Sequence, residues 1–448
     1  MNKKAVLVID HKDRDLRGIV LIAYKLYTKY KVYPYLTTTK NEISSLIKYQ
    51  PDFILLQHVR HPRQKEFLDY ARGKNIKIGL LLAEGFPKTA KDIFSSAGLK
   101  EFIYYLDLIM LWGKALFNNA ESKNIYKPKL KVKAVGSPRF DFHTEVFKNS
   151  FLNKSEFSFE LGLKEKLPIV VLMTNYKYAN REGGIKNLIQ QVKTPGSSDH
   201  RLASVIGPKA RDHQKLFSII NKYYLMLIKD FPKVHFLIKV HPAEPNSIYH
   251  KIYNNHKNVR ILGDDNEKIS LSDIIRNADI EITSRCTTTA ESFIMDVTKN
   301  IIGINLNNKN LELNEFEYLE RGTDLVSNYQ ELKDRVEFYL EGNSTSETLI
   351  EKRIQFISEF LYSNDGNSAD RCAQAINDMI NLFKRSRSYT ITSTRIFLRH
   401  LIQYKFNSKW TSFNRPPKHP KYISKEDVNK IANICEKTFG EKMEYTFL

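Results

Sequence analysis

The chain has 448 residues, enough for two α/β domains with separate cores, and its 42% hydrophobic and 27% charged content is that of a soluble globular protein rather than a membrane-spanning or disordered one. An excess of 70 Lys/Arg over 50 Asp/Glu gives a net charge of +20, which attracts polyanions in general: nucleic acid, anionic lipid or phosphate-bearing substrates. Three scattered cysteines (Cys286, Cys372, Cys435) exclude a disulfide framework and a cysteine metal cluster, and fit a reducing compartment.

The first apolar run, Ala5–Ile9, stops at Asp10 and is followed by charged residues rather than a cleavage site, so it reads as a buried strand and not a signal peptide. The expected location is therefore cytoplasmic. Further short apolar runs follow at Phe53–Val59, Ile76–Ala83, Leu106–Trp112 and Val132–Val135, then at Ile169–Met173, Val234–Val240, Val259–Leu262, Asp279–Thr283 and Asn300–Leu306. Runs this short and this apolar suit parallel strands buried on both faces, and the helical periodicity between them implies βαβ units in doubly wound sheets. The series breaks at 145–167, a polar stretch leading to Pro168. The expected organisation is a Rossmann-like acceptor-side domain over 1–150 and a second, nucleotide-sugar-binding Rossmann-like domain over 167–345. Closing helices follow over 346–385 and a basic amphipathic tail over 386–448. A polar stretch over 180–211 reads as a long loop. Residues 384–421 carry ten Lys/Arg and no Asp/Glu, half of the net charge. Within this tail Ile396, Phe397, Leu398, Leu401 and Ile402 alternate with Arg395, Arg399, His400 and Lys405, as in an interfacial helix, so 386–422 is expected to dock on an anionic membrane surface or to pack on the protein itself.

Ligands of open parallel sheets bind beyond the carboxyl ends of the strands, so the loops after the strands should carry the chemistry. The run Val234–Val240 leads into His241-Pro242-Ala243-Glu244, where the proline fixes the turn and holds the imidazole at the strand end, ready to donate to a phosphate or sugar oxygen. Asp279–Thr283 leads into Ser284, Arg285, Cys286, Thr287, Thr288 and Thr289 at a helix start. There hydroxyls and free amides suit an anion, and Glu291 is placed to accept from ribose hydroxyls. Ile76–Ala83 ends at Glu84-Gly85, a carboxylate at a strand tip with the position of a general base. Arg14, Asp15, Arg17 and Gly18 follow the first strand at a helix start, and Arg139 lies in Gly136–Asp141; these are the candidate acceptor-binding residues.

Arg14–Ala23, Ala83-Glu84-Gly85, Gly136–Asp141, Val240–Glu244 and Cys286–Glu291 together resemble the bacterial surface carbohydrate biosynthesis proteins, a family related to GT-B glycosyltransferases. The chain is also similar to bacterial sialyltransferases and polysialyltransferases, which carry an acidic-Gly motif, then His-Pro, then a Ser/Thr pair. It departs from them in having Ala83 where a second carboxylate is usual. The resemblance spans about residues 5–340. It implies a GT-B-like fold, with two Rossmann-like doubly wound domains facing a cleft and C-terminal helices, and with Glu84 as base, His241 on the nucleotide and Thr287 and Thr288 on its phosphate.

The expected activity is a metal-independent, inverting transfer of a sugar from a nucleotide donor, first a CMP-activated acidic sugar, to a glycan or lipid-linked glycan acceptor. Glu84 and His241 are the catalytic candidates. His241, Pro242, Glu244, Ser284, Arg285, Thr287, Thr288 and Glu291 are the donor-binding ones. No cofactor and no metal is implied, because Asp264-Asp265 are adjacent rather than spaced and the helix dipole with Arg285 can neutralise a leaving phosphate. A polyol-phosphate transferase or a nucleotide-sugar epimerase fits the same frame. A nucleic-acid binder is the remote alternative, disfavoured because aromatics do not interleave with Lys/Arg in a reading pattern.

Overall fold

The computed structural model describes residues 3–39, 41–59, 62–83, 102–122, 130–164, 166–180, 190, 203–263, 269–284, 286–306, 320–382 and 422–448. These divide into two compact units, Met1–Lys148 with Ile357–Leu448 and Asn149–Phe356, each built on its own parallel sheet. Both are Rossmann-like, and the fold is of the GT-B type.

Unit 1 begins β1 (Lys4–Ile9), α1 (Lys12–Tyr30), β2 (Tyr33–Thr38), α2 (Glu42–Tyr49), β3 (Phe53–Leu56), α3 (Pro62–Gly73), β4 (Lys77–Leu81), β5 (Leu108–Leu111), α4 (Lys114–Ser122) and β6 (Lys131–Ala134). Its sheet runs β13-β2-β1-β3-β4-β5-β6, where β13 is Thr446–Phe447 near the end of the chain. β1 lies inside it, paired in parallel with β2 (Leu7↔Leu36) and with β3 (Leu7↔Leu55). Val6, Leu7, Val8, Ile54, Leu55 and Leu56 are all buried, which is why these strands read as unbroken apolar runs. β2 escapes that pattern because Tyr33-Pro34-Tyr35-Leu36-Thr37-Thr38 mixes proline and threonine into a half-buried strand.

Unit 2 contains α5 (Lys154–Leu161), β7 (Ile169–Met173), α6 (Ala203–Asp230), β8 (His235–Lys239), α7 (Asn246–Tyr253), β9 (Val259–Leu262), α8 (Leu271–Asn277), β10 (Ile280–Thr283), α9 (Thr288–Met295), β11 (Asn300–Ile304), β12 (Asp324–Val326) and α10 (Tyr329–Leu340). The order is β12-β11-β10-β7-β8-β9, with β7 flanked by β8 and by β10. The stretch 180–211, expected as a loop, is in part helical: from Ala203 it belongs to α6, a helix of 28 residues whose face carries Leu216, Ile220, Tyr224 and Leu227 into the core. Helix starts are set locally. Asn153 with Glu156 and Ser270 with Asp273 form reciprocal capping boxes that satisfy the first free amides. Arg353 is fully buried and donates to the carbonyls of Gly322, Val297 and Lys299 while lying over the Phe293 ring.

The chain leaves unit 2 within α11 (Glu347–Phe360) and returns to unit 1 with α12 (Ser368–Asn381), α13 (Lys425–Phe439) and β13 (Thr446–Phe447). Residues 422–448, grouped with the basic tail in the sequence reading, instead complete unit 1. Phe439 stacks on Tyr24 of α1, Lys12 pairs with Asp427 at 2.7 Å, and Thr446 and Phe447 add a parallel strand beside Tyr35 and Leu36. The strand is two residues long and its neighbours alone bring it into the sheet, so no local pattern announces it. The proposed membrane-docking segment lies outside the described residues up to residue 421. Among the described residues no helix is long and apolar enough to cross a membrane.

Candidate active site

In a doubly wound sheet the crevice opens where the strand order reverses. In unit 2 that point lies beside β7, because the chain passes from β7 to β8 and β9 on one side and then to β10 on the other. The loops after β7, β8 and β10 therefore meet at one sheet edge, although they lie far apart in sequence.

Glu244 ties the first two together. Its carboxylate is buried and accepts from Thr174 Oγ1 at 3.0 Å, the Tyr176 amide at 2.9 Å, Asn180 Nδ2 at 3.1 Å and Tyr249 Oη at 2.6 Å. Four protein donors occupy the acceptor positions of a carboxylate, so Glu244, expected to bind the donor, holds the loops in place. Thr174 Oγ1 in turn accepts from the His241 amide at 2.9 Å. The His241 ring accepts at Nδ1 from the Ala243 amide at 3.0 Å, which leaves the ring proton on Nε2. Burial, then the neighbouring Lys177, Lys239 and His213, push the His241 pKa down to about 3. The ring is thus a neutral donor with a fixed tautomer at physiological pH. Pro242 beside it is exposed, as a strand-ending turn requires.

At the end of β10, Ser284 is buried, Thr287 exposed and Thr288 half-buried. Thr287, at the N-cap position, has helical backbone angles and makes no side-chain cap. The first-turn amides of Thr289 and Ala290 instead close on the carbonyls of Cys286 and Thr287. Thr283 and Thr289 pair their hydroxyls at 3.1 Å, and burial pushes the Cys286 thiol up, which makes it an inert core group. Glu291 is half-buried in the first turn of α9. Arg285 lies outside the described residues. Sequence reasoning missed Thr174, Lys177, Lys239 and His213. Thr174 and Lys239 were findable as residues at the ends of strands, whereas His213, edge-on to Tyr178 at 4.9 Å, comes from the middle of α6 and has no local signal.

In unit 1 the order reverses between β2-β1 and β3, so the loops after β1 and β3 meet. Arg14 places its guanidinium on both oxygens of Asp15, at 2.8 and 2.9 Å, and on Asp10 at 3.1 Å. His58 Nδ1 lies 3.9 Å from the same Asp10 carboxylate. The other acceptor candidates are engaged in packing. A Cβ on Gly18 would meet the Arg139 amide nitrogen at 2.8 Å, so the glycine lets α1 approach the 3-10 turn Pro138–His143. Arg139 lies over the rings of Trp112 and Phe140, and Arg17 over Phe142. Asp141 of that turn accepts from the amides of Ser368 and Ala369, and burial raises its pKa to about 6. Glu84 falls outside the described residues, one position past Ala83 at the end of β4.

No family model and no curated protein matches the chain in sequence. Solved structures do match in fold. A UDP complex of MnaA from S. aureus is 13% identical with a TM-score of 0.54, covering 87% of this chain and 100% of that one. The UDP-GlcNAc 2-epimerase of Neisseria meningitidis bound to UDP-GlcNAc is 14% identical with a TM-score of 0.52, over 84% and 100% of the two chains. The wall teichoic acid polymerase TagF, in a CDPG soak, is 11% identical with a TM-score of 0.50, over 84% and 89%. At these identities the likeness is one of fold.

Proposed function

We propose that this protein is a glycosyltransferase of bacterial surface-polysaccharide biosynthesis (capsule, O-antigen or lipopolysaccharide) that takes its sugar from a nucleotide donor bound to unit 2. The observation that carries the reading is the lining of the unit 2 switch point. A neutral His241 with Nε2–H as donor stands among Lys177 and Lys239, and the hydroxyls of Ser284, Thr287 and Thr288 follow the strand next to β7 on its other side. Negative charge builds on the donor phosphate as the glycosidic bond breaks, and fixed donors and cations lower that barrier without reorganising. In the transfer an acceptor hydroxyl attacks the anomeric carbon and the bonding pair leaves with the nucleotide phosphate. Glu84 is the proposed base for the hydroxyl proton, on its position after β4 and the resemblance to sialyltransferases; Arg285 is the proposed further cation.

A CMP-activated acidic sugar is the donor we place first. Fold neighbours crystallised with UDP, UDP-GlcNAc and CDPG support a nucleotide-activated substrate of some kind. They also favour a second reading, a nucleotide-sugar epimerase or polyol-phosphate transferase. A thermal-shift screen of CMP, CDP, UDP and GDP on wild type and His241→Ala tests the site. One nucleotide should raise the melting temperature of the wild type and not of the variant. No shift with any nucleotide overturns the reading, and product analysis with labelled donor separates transfer from epimerisation.

A further inference from the structure

Gln57 follows β3 directly and is 5% exposed, yet its Nε2 has no hydrogen-bond partner among the described residues. His11 follows β1 across the same switch point, and its buried Nδ1 makes no hydrogen bond, with the Asp13 carboxylate 3.9 Å away. The β1–β3 register pairs Ala5 with Phe53 and Leu7 with Leu55. Continuing it sets Ile9 beside Gln57 and Asp10 beside His58, in keeping with the 3.9 Å between the Asp10 carboxylate and the His58 ring. A buried amide kept without a partner is a standing cost to the fold, which a bound group that accepts from it removes.

We propose that this switch point, formed by Asp10, His11, Arg14, Gln57 and His58, binds an uncharged polyhydroxylated sugar as the acceptor; the assignment rests on the transferase reading above. The charge of the site selects the ligand class. Asp10, Asp13 and Asp15 stand against Arg14, whose guanidinium is divided between Asp10 and Asp15. A phosphate there meets carboxylates of its own sign, and an amine finds Asp10 and Asp15 already paired with Arg14. Sugar hydroxyls both donate and accept. They give protons to Asp10 and the His rings, and they take the Gln57 amide.

The test uses the full chain and saturation-transfer NMR with the methyl glycosides of glucose, galactose and N-acetylglucosamine, with N-acetylneuraminate as the charged counterpart. Transfer to at least one neutral glycoside is expected in the wild type, reduced at least about fivefold in Gln57→Leu and in Asp10→Asn. Gln57→Leu should also melt at the same or a higher temperature, because it removes an unpartnered amide; a lower melting temperature means the amide is structural and overturns the site. So does signal undiminished in both variants, signal absent from the wild type, or stronger transfer to N-acetylneuraminate. A wild-type sugar signal with no nucleotide shift overturns the donor reading of unit 2 and leaves this site standing.

Discussion

The two units build the same kind of crevice and line it with opposite charge. Among the described residues, the unit 1 loops beside β1 present Asp10, Asp13 and Asp15 around Arg14, with Gln57 and His58 just past the neighbouring strand. In unit 2 the loops beside β7 present Lys177, Lys239 and a neutral His241, and the buried Glu244 carboxylate is filled by protein donors. Sheet topology places both sites and selects neither ligand. The ligand class follows from a few loop side chains: one crevice suits hydroxyls and the other phosphate.

The largest effect expected is that of Glu244→Gln, which turns an amide N–H₂ against groups that themselves donate. It should cost about 3 kcal/mol and abolish any nucleotide-induced thermal shift while leaving unit 1 sugar binding intact. Unchanged stability in a urea titration would return Glu244 to the ligand side of the comparison. Gly18→Ala drives a methyl against the backbone of Pro138 and Arg139 and should destabilise the protein by about 1–3 kcal/mol through unit 1, with nucleotide affinity unmoved.

His241→Ala should weaken nucleotide binding about 10- to 100-fold, the worth of a hydrogen bond to a charged group, measured by calorimetry. The same residue predicts a pH signature. Its folded pKa near 3 lies below the ordinary histidine value of 6.5, so between these values the unfolded chain binds the extra proton. Stability is therefore lost as pH falls from 6.5 toward 3, by up to ~1.4 kcal/mol per unit. Wild type should lose more than His241→Ala between pH 7 and pH 4.5 in matched denaturation curves, and equal losses would show the ring to be solvated. Lys177→Gln is the smallest change, about threefold weaker pyrophosphate binding with a shallower salt dependence, because the half-buried ammonium is screened.

Much of this was legible in the residues themselves. All ten apolar runs became strands, most of them because a parallel strand covered on both faces has to be apolar throughout; β6, at the sheet edge, is exposed at Lys131 and Lys133. The strands that escaped are β2, with its proline and threonines, and β12 and β13, of three and two residues, which exist because a neighbour offers them hydrogen bonds. The His-Pro turn and the hydroxyl-rich turn were visible because each directly follows an apolar run. Their roles were less visible. Nothing local tells that Glu244 points inward to Thr174 and Tyr249, or that Thr287 declines to cap its helix.

Local pattern thus determined which segments are strands, where the loops bearing chemistry begin, and that the chain makes two doubly wound sheets. The order of strands in each sheet was decided by tertiary packing alone. Setting β10 beside β7, and β3 beside β1, is a choice among buried apolar edges of nearly equal character, and hydrophobic burial has no direction with which to encode it. That choice is what brings Lys177, Lys239 and His241 near the hydroxyls of β10's loop, and Gln57 and His58 beside Asp10.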